Sequence, residues 1–277
     1  MTSTTGSTGQ LGAEAVRRAV VLTHGKAQTI GPALARLETV ARDAGVELLV
    51  AGEDAVEDAD LAVVLGGDGT MLRALGRFLG TGIPVIGANF GRVGFLSSIP
   101  RAELEAGLAR VFAGEYIVVE LPTLDVQVGD EQRTAVNDVV VTSGIVGRMI
   151  QLEWALGDEK QGRLGCDGVV CSTPPGSTGY NFSNGGPVLV WGLDAMAIAF
   201  VAPHSLNARP LVVPRGRDAI FWNRTAELPA TVLVDGHHFV ELPPGAQVRA
   251  RIGEQRSLLA TLPEVTFFSR YSRTFAS

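Results

Sequence analysis

Lysine is almost missing from this chain. Lys26 and Lys160 are its two, and the other 21 of its 23 basic residues are arginines. Neither lysine is near Asp68 in sequence, and no G-x-x-x-x-G-K-[ST] run exists, which excludes a Walker-type phosphate loop. Cysteine is scarce too. Cys166 and Cys171, five residues apart, read as reduced thiols of a cytoplasmic protein, and two ligands fall short of the four that a structural zinc site needs. No unbroken apolar stretch approaches about 18 residues, so no spanning helix and no membrane partner are expected. The segment Met1 to Gln10 lacks both the basic start and the apolar core of a secretory signal, and residues 1–17 are expected to form a disordered tail. Positive charge is in deficit, with a net charge of −6, which speaks against nucleic acid as a partner. No G-x-S-x-G elbow accompanies Ser172, Ser177 or Ser183, so His204 reads as structural rather than as the base of a serine hydrolase.

What is present is a core-rich chain. Apolar residues make up 46% and charged residues 19% of 277 positions, enough for one large domain or two ordinary ones. The first part alternates strand and helix. Strands are expected at Ala19–Thr23, Glu47–Val50, Leu61–Leu65 and Ile83–Gly87, with helices at Gly31–Ala44, Thr70–Leu79 and Arg101–Phe112. That rhythm predicts a parallel sheet with helices on its faces, and functional groups in such sheets gather at the carboxyl ends of the strands. From about Tyr116 the pattern becomes strand upon strand. The runs are Tyr116–Leu121, Leu124–Val128, Ala135–Thr142, Met149–Leu156, Met196–Phe200, Ala219–Phe221, Ala230–Leu233, His238–Leu242, Gln247–Ile252 and Ser257–Leu259. Strands joined by Gly/Pro turns predict a β-sandwich. The expected fold class is therefore an α/β N-terminal domain with a parallel sheet plus a C-terminal β-sandwich, changing near residue 117.

Four stretches carry chemistry. Gly66-Gly67-Asp68-Gly69-Thr70 lies between a buried apolar strand and a helix, and the dipole and amides of such a helix start suit a phosphate. Asp68 there can hold a metal ion or take a proton from an attacking hydroxyl. The loop Asn89-Phe90-Gly91-Arg92-Val93-Gly94-Phe95-Leu96 follows the fourth strand, with Phe95 as an apolar face for a base and Arg92 as a phosphate partner. Asn137-Asp138 supplies an amide and a carboxylate that can bond a ribose diol. Residues 165–187 form the densest stretch, with Asp167 before a strand, a Ser/Thr/Pro/Gly turn through Thr178 and Gly179, and Tyr180 and Ser183 on one face of a helical turn. Packed hydroxyls and amides there can enclose a nucleotide. Asp235-Gly236 reads first as a hairpin turn.

With these blocks in this order, the chain resembles the bacterial NAD kinases over roughly residues 18–260; the segment 202–210 and Asp235-Gly236 also fit. The glycine turn is shared with diacylglycerol and sphingosine kinases, whereas the block at 172–187 is typical of NAD kinases. The resemblance implies an alcohol phosphotransferase that moves the γ-phosphoryl of ATP to the 2′-hydroxyl of the adenosine ribose of NAD, giving NADP. Asp68 would activate the hydroxyl or help organise Mg²⁺, the divalent ion being otherwise bridged through phosphates. Gly66, Gly67, Gly69, Thr70 and Arg73 would bind the phosphates of ATP. Asn89, Phe95, Asn137, Asp138, Asp167, Thr178, Gly179, Tyr180, Ser183, Ala202, Asp235 and His237 would form the NAD site, some of them across a subunit boundary in a homodimer or homotetramer. The implied division is 18–117 for the α/β domain, 118–255 for the NAD-binding sandwich and 256–277 for a segment returning to the first domain. Asp138, Pro175, Gly179 and Asn184 depart from the family's usual glutamate, threonine, alanine and alanine. Gly165 matches members that also accept polyphosphate. A lipid or sphingoid-base kinase and a non-catalytic NAD sensor are the competing readings.

Overall fold

The computed structural model of the chain describes residues 10–11, 14–24, 27–50, 58–91, 94–145, 147–205 and 207–275. It divides into two compact units, residues 1–120 with 257–277, and residues 121–256. Of the tail expected over 1–17, residues 1–9 and 12–13 lie outside the described residues. Gln10–Leu11 pairs with Val118 and Ile117, and Val16 is buried.

The first unit is built on a parallel sheet. Strand Leu61–Gly66 lies between Arg18–Thr23 and Val85–Asn89, Glu47–Val50 pairs on the far side of Arg18–Thr23, and Leu259 pairs with Val85. All six residues of Leu61–Gly66 are buried, as a strand covered on both faces requires. Alternation then sorts the faces. Leu61, Val63, Leu65, Ile86 and Ala88 join one core with Leu37 and Ala41 of helix Ala27–Ala44 and Leu104, Leu108 and Phe112 of helix Leu104–Phe112. Helix Asp68–Arg77 buries Met71, Ala74 and Leu75, and a Cβ on Gly87 would have to displace the Met71 side chain. The first helix starts one turn before its expected start at Gly31, and the expected helix Arg101–Phe112 opens with a single 3₁₀ turn, Arg101–Glu103.

The second unit is a sandwich of antiparallel sheets. One sheet runs Leu211–Pro214, Ala195–Val201, Gly168–Ser172, Asp138–Ser143, Ala230–Val234, His237–Leu242. The other includes Glu159–Cys166, Ile150–Leu156, Ala219–Asn223 and the strand entering at Gln247. Val139, Val141, Val169, Cys171, Met196, Ile198 and Val232 from the first sheet meet Leu124, Val126, Ile150, Leu152, Phe221 and Val248 from the other in one core.

Beyond shifts of one or two residues at strand ends, as in Val85–Asn89, three expected runs are joined or broken differently. Tyr116–Leu121 and Leu124–Val128 form one strand, Ile117–Val128, because Pro122 removes a single donor while the chain stays extended. Gln247–Ile252 and Ser257–Leu259 likewise fuse into Gln247–Thr261. Conversely Ala135–Thr142 is broken. Glu131–Ala135 ends a hairpin and Asp138–Ser143 begins anew, because the amides of Val136, Asn137 and Asp138 turn to the Asp235 carboxylate.

Candidate active site

In the first unit the site is organised around Asp68, the first residue of helix Asp68–Arg77. Gly67 caps that helix with extended backbone and no side-chain bond, and its carbonyl accepts the Thr70 N–H at 2.9 Å. A Cβ on Gly66 would come within 2.7 Å of the Thr70 side chain, so glycine there is a packing requirement; at Gly69 a Cβ would meet nothing within 4 Å. The Asp68 carboxylate turns back over the loop that follows Val85–Asn89. It accepts the Phe95 N–H at 2.7 Å on Oδ2 and the Leu96 N–H at 3.1 Å on Oδ1. Burial raises its pKa, and the amides of Phe95 and Leu96 and the charge of Arg270 oppose that rise.

Arg270, on the C-terminal helix Phe267–Phe275, is the residue sequence reasoning missed. It is fully buried. Its Nη1 donates to the carbonyls of Phe95 at 2.7 Å and Ser97 at 2.6 Å, and Nη2 donates to Thr261 Oγ1 at 2.7 Å. Burial pulls its pKa down to about 9, which leaves it charged at neutral pH. A basic residue on a short amphipathic helix ordinarily reads as part of a solvated face, so only the tertiary structure reveals it.

The Phe95 ring does not lie open to a base, a correction to the expectation above. It is 4% exposed and packs against Phe267 and Phe275 at 5.6 and 6.1 Å, since burial on an aromatic helix face outweighs exposure to solvent. Asn89 Oδ1 accepts the Gly91 N–H at 2.9 Å and so shapes the same loop. Arg73 stands exposed on the Asp68 helix, and Arg92 lies outside the described residues.

In the second unit Asn137, Asp138 and Asp235 form a cluster at one end of a sheet. Asp235, with φ of 50°, accepts three backbone N–H groups, from Val136 at 2.9 Å, Asn137 at 2.7 Å and Asp138 at 3.2 Å. The Asn137 carbonyl accepts the Thr173 N–H at 2.9 Å, which brings the 173–187 segment to the same end. Gly176 lies so close that a Cβ would stand 2.0 Å from that carbonyl oxygen. Asn137 Oδ1 is buried and accepts no hydrogen bond among the described residues, an acceptor suited to a ligand donor. Burial and the neighbouring Asp235 charge push the Asp138 carboxyl up to about 7.

The 173–187 segment divides its polar groups. Thr173, Ser177 and Asn181 are buried pins. Ser177 Oγ accepts from the Leu189 N–H at 2.8 Å, and Asn181 Nδ2 donates to the carbonyls of Ser177 and Pro187 at 3.0 and 2.9 Å. Thr178, Gly179, Tyr180 and Ser183 face outward, with Tyr180 46% exposed. Two departures find local reasons. Pro175 starts the 3₁₀ turn Pro175–Thr178, where a missing N–H costs nothing, and Asn184 Nδ2 donates to the Tyr180 carbonyl at 2.8 Å. His237 Nδ1 lies 2.9 Å from the Asp235 carbonyl oxygen.

Asp167 and Ala202 are not brought to that cluster. Both sit at the other end of strand Gly168–Ser172, where the Asp167 N–H donates to Val201 at 3.0 Å and Ala202 adopts φ of 42°. Five residues of strand separate the ends by about 13 Å. His204, expected to be structural, has an exposed side chain and is tied down by its own N–H to Gly165 at 2.8 Å.

Among the described residues no group of three or more His, Cys, Asp or Glu could hold a metal by itself. A hard divalent ion takes oxygen ligands, and the Asp68 carboxylate is the one that the glycine turn offers, with a backbone N–H already on each of its oxygens.

The ATP-NAD kinase N-terminal domain model matches residues 11–116 and the C-terminal domain model residues 136–262. NAD kinase of Heliobacterium modesticaldum is 40% identical over 78% of this chain and 78% of its own length. That of Corynebacterium diphtheriae is 34% identical over 92% and 89%. An NAD kinase structure from Archaeoglobus fulgidus in complex with ATP superposes with a TM-score of 0.75 at 26% identity, covering 94% of this chain and 97% of its own. The yeast NADH kinase complexed with NADH shares the fold, with a TM-score of 0.84 at 20% identity over 95% and 88%. An α/β unit with a glycine-turn aspartate followed by a β-sandwich defines a two-domain nucleotide kinase. The chain belongs to the NAD kinase family, and the activity of that family is phosphorylation of NAD. The lipid-kinase and sensor readings are not favoured.

Proposed function

We propose that this enzyme transfers the γ-phosphoryl of ATP to the 2′-hydroxyl of the adenosine ribose of NAD, with Asp68 accepting the hydroxyl proton. The observation that carries this reading is the Asp68 carboxylate, half-buried, oriented by two amides and raised in pKa, which is the profile of a positioned base. Phosphoryl transfer otherwise needs positioning and charge neutralisation. A divalent ion, Mg²⁺, supplies that neutralisation when bound. The phosphates of ATP would bridge it, which keeps the Asp68 carboxylate for the hydroxyl proton. Gly66, Gly67, Gly69, Thr70 and Arg73 take the phosphates. The open space beside Gly69 supports that assignment, while the Thr70 amide is already spent on Gly67.

Asn137, Asp138, Thr178, Gly179, Tyr180 and Ser183, with Asp235 and His237 behind them, bind NAD. The unsatisfied Asn137 Oδ1 supports this directly. Asn89 and Phe95 shape the Asp68 loop rather than touch the base. The division of labour follows the domains: 18–117 with 256–277 for phosphoryl chemistry, 118–255 for NAD. Asp167 and Ala202 serve NAD from a second copy in a homodimer or homotetramer, and their place at the far end of Gly168–Ser172 supports that arrangement. We place the enzyme in the cytoplasm; no helix among the described residues is long and apolar enough to cross a membrane. Polyphosphate is the second donor to try. Gly165, the residue behind that reading, has Met149 and Gln151 within 2.7 Å of a Cβ position, so a larger side chain there would have to displace both.

Incubation with ATP, Mg²⁺ and NAD, read through an NADP-specific dehydrogenase, tests the reading. NADP is expected from the native protein, and Asp68→Asn is expected to lose about 10²–10⁴-fold in rate with NAD binding within about tenfold. Normal turnover by Asp68→Asn would remove Asp68 from the role of base.

A further inference from the structure

The peptide group between Phe95 and Leu96 is gripped on both sides. Its carbonyl accepts Arg270 Nη1 at 2.7 Å, and its N–H donates to Asp68 Oδ1 at 3.1 Å. A trans peptide is planar, with C=O and N–H pointing oppositely, so fixing the oxygen fixes the hydrogen. The Ser97 carbonyl accepts the same guanidinium nitrogen at 2.6 Å, and the next amide, Ser98 N–H, donates to the Gly87 carbonyl at 3.0 Å. The loop is thereby pinned between the C-terminal helix and the sheet. Thr261 Oγ1, at 2.7 Å from Nη2, anchors the guanidinium. A buried cation bonded to a carbonyl also polarises the amide beyond it, which strengthens that amide's bond to a carboxylate.

We propose that Arg270 is a positioning residue for phosphoryl transfer, holding the Phe95–Leu96 and Ser97–Ser98 peptide groups so that the loop amides keep the Asp68 carboxylate in its working orientation. The inference rests on Asp68 being the proton acceptor. Arg270 is fully buried and acts through the loop, so its loss is expected in the chemical step and not in substrate binding. A fork of donors serving two carbonyls and a hydroxyl is a task for arginine; lysine keeps the charge and part of the bonding.

Steady-state NADP formation by the full chain tests this with Arg270→Met, Arg270→Lys and Asp68→Asn, each checked for folding by thermal melting. Arg270→Met is expected to lower kcat by about 10²-fold, the cost of a catalytic group displaced by about 1 Å. The KM values for NAD and ATP should stay within about threefold, and Arg270→Lys should restore kcat to within about tenfold of native. A native kcat in Arg270→Met, a loss expressed in KM instead, or equal losses in the methionine and lysine variants would overturn the inference. Should Arg270→Met fail to fold, Thr261→Val decides: a several-fold fall in kcat at unchanged KM supports the role, and a native kcat overturns it. An active Asp68→Asn would instead sink the base assignment, whereas an inactive Asp68→Asn beside a fully active Arg270→Met sinks only the role of Arg270.

Discussion

Asp235 and Asn137 are joined by a 2.7 Å bond from the Asn137 backbone N–H to Asp235 Oδ1, although they stand 98 residues apart in the chain. The same carboxylate takes the N–H groups of Val136 and Asp138, and the Asp235 N–H returns to the Asp138 carbonyl at 2.9 Å. A carboxylate bonded to several amides is a strong local constraint, each such bond being worth about 1.5–3 kcal/mol when one partner is charged. Here it sets where the Asn137 and Asp138 side chains begin. What looks like a hairpin turn is therefore also the clamp on the proposed ribose-binding pair.

This clamp makes a graded prediction. Asp235→Ala loses every acceptor and also places a Cβ residue without a polar side chain at φ of 50°. Asp235→Asn keeps one acceptor and a side chain tolerant of the left-handed region. Titration calorimetry with NAD should show Asp235→Ala weakened by at least about tenfold, about 1.4 kcal/mol, and Asp235→Asn weakened less. Equal affinity in both variants and the native protein would show that the clamp does not govern NAD binding.

Asp138 carries a pH signature. Its folded pKa of about 7 lies above the ordinary 3.8, because burial and the charge of Asp235 both disfavour the anion. The folded protein holds a proton there that the unfolded chain has released. Its contribution to stability is therefore complete below about pH 4 and is lost as pH rises toward 7. At about 1.4 kcal/mol per pH unit the loss is on the order of 4 kcal/mol at most. Asp138→Asn does not titrate. Thermal melting of the nucleotide-free protein at pH 5 and pH 8 should show the native midpoint falling more than that of Asp138→Asn. Parallel falls would mean that Asp138 ionises freely in the folded state.

Much of this site could be read along the chain because its groups are local. The run Leu61–Leu65, the glycine turn and the helix after it signal one another within a few residues, and the structure keeps them as strand Leu61–Gly66 and helix Asp68–Arg77. The groups that orient the site are not local. Arg270 reaches the Asp68 loop only because the C-terminal helix packs on Phe95, and Asp235 reaches Asn137 only because Val234 pairs with Val139. Strand Glu159–Cys166 escaped reading for another reason. Its first five residues are exposed on a sheet edge and include no large apolar side chain, so the alternation that marks a half-buried strand is absent.

The sandwich core can be tested through its two thiols. Cys166 and Cys171 are free and buried, 0% and 1% exposed, and both belong to the core where the sheets meet. Burial pushes the Cys166 thiol up to about 12 and Cys171 higher still, with the Asp138 charge adding to the latter. The thiolate is the reactive species, so neither sulfur should react with an aromatic disulfide reagent at pH 8 in the native protein, and both should react in denaturant. Fast native labelling would mean that the sheets open around these strands. A rate that follows global unfolding would place both cysteines in the most stable part of the second unit.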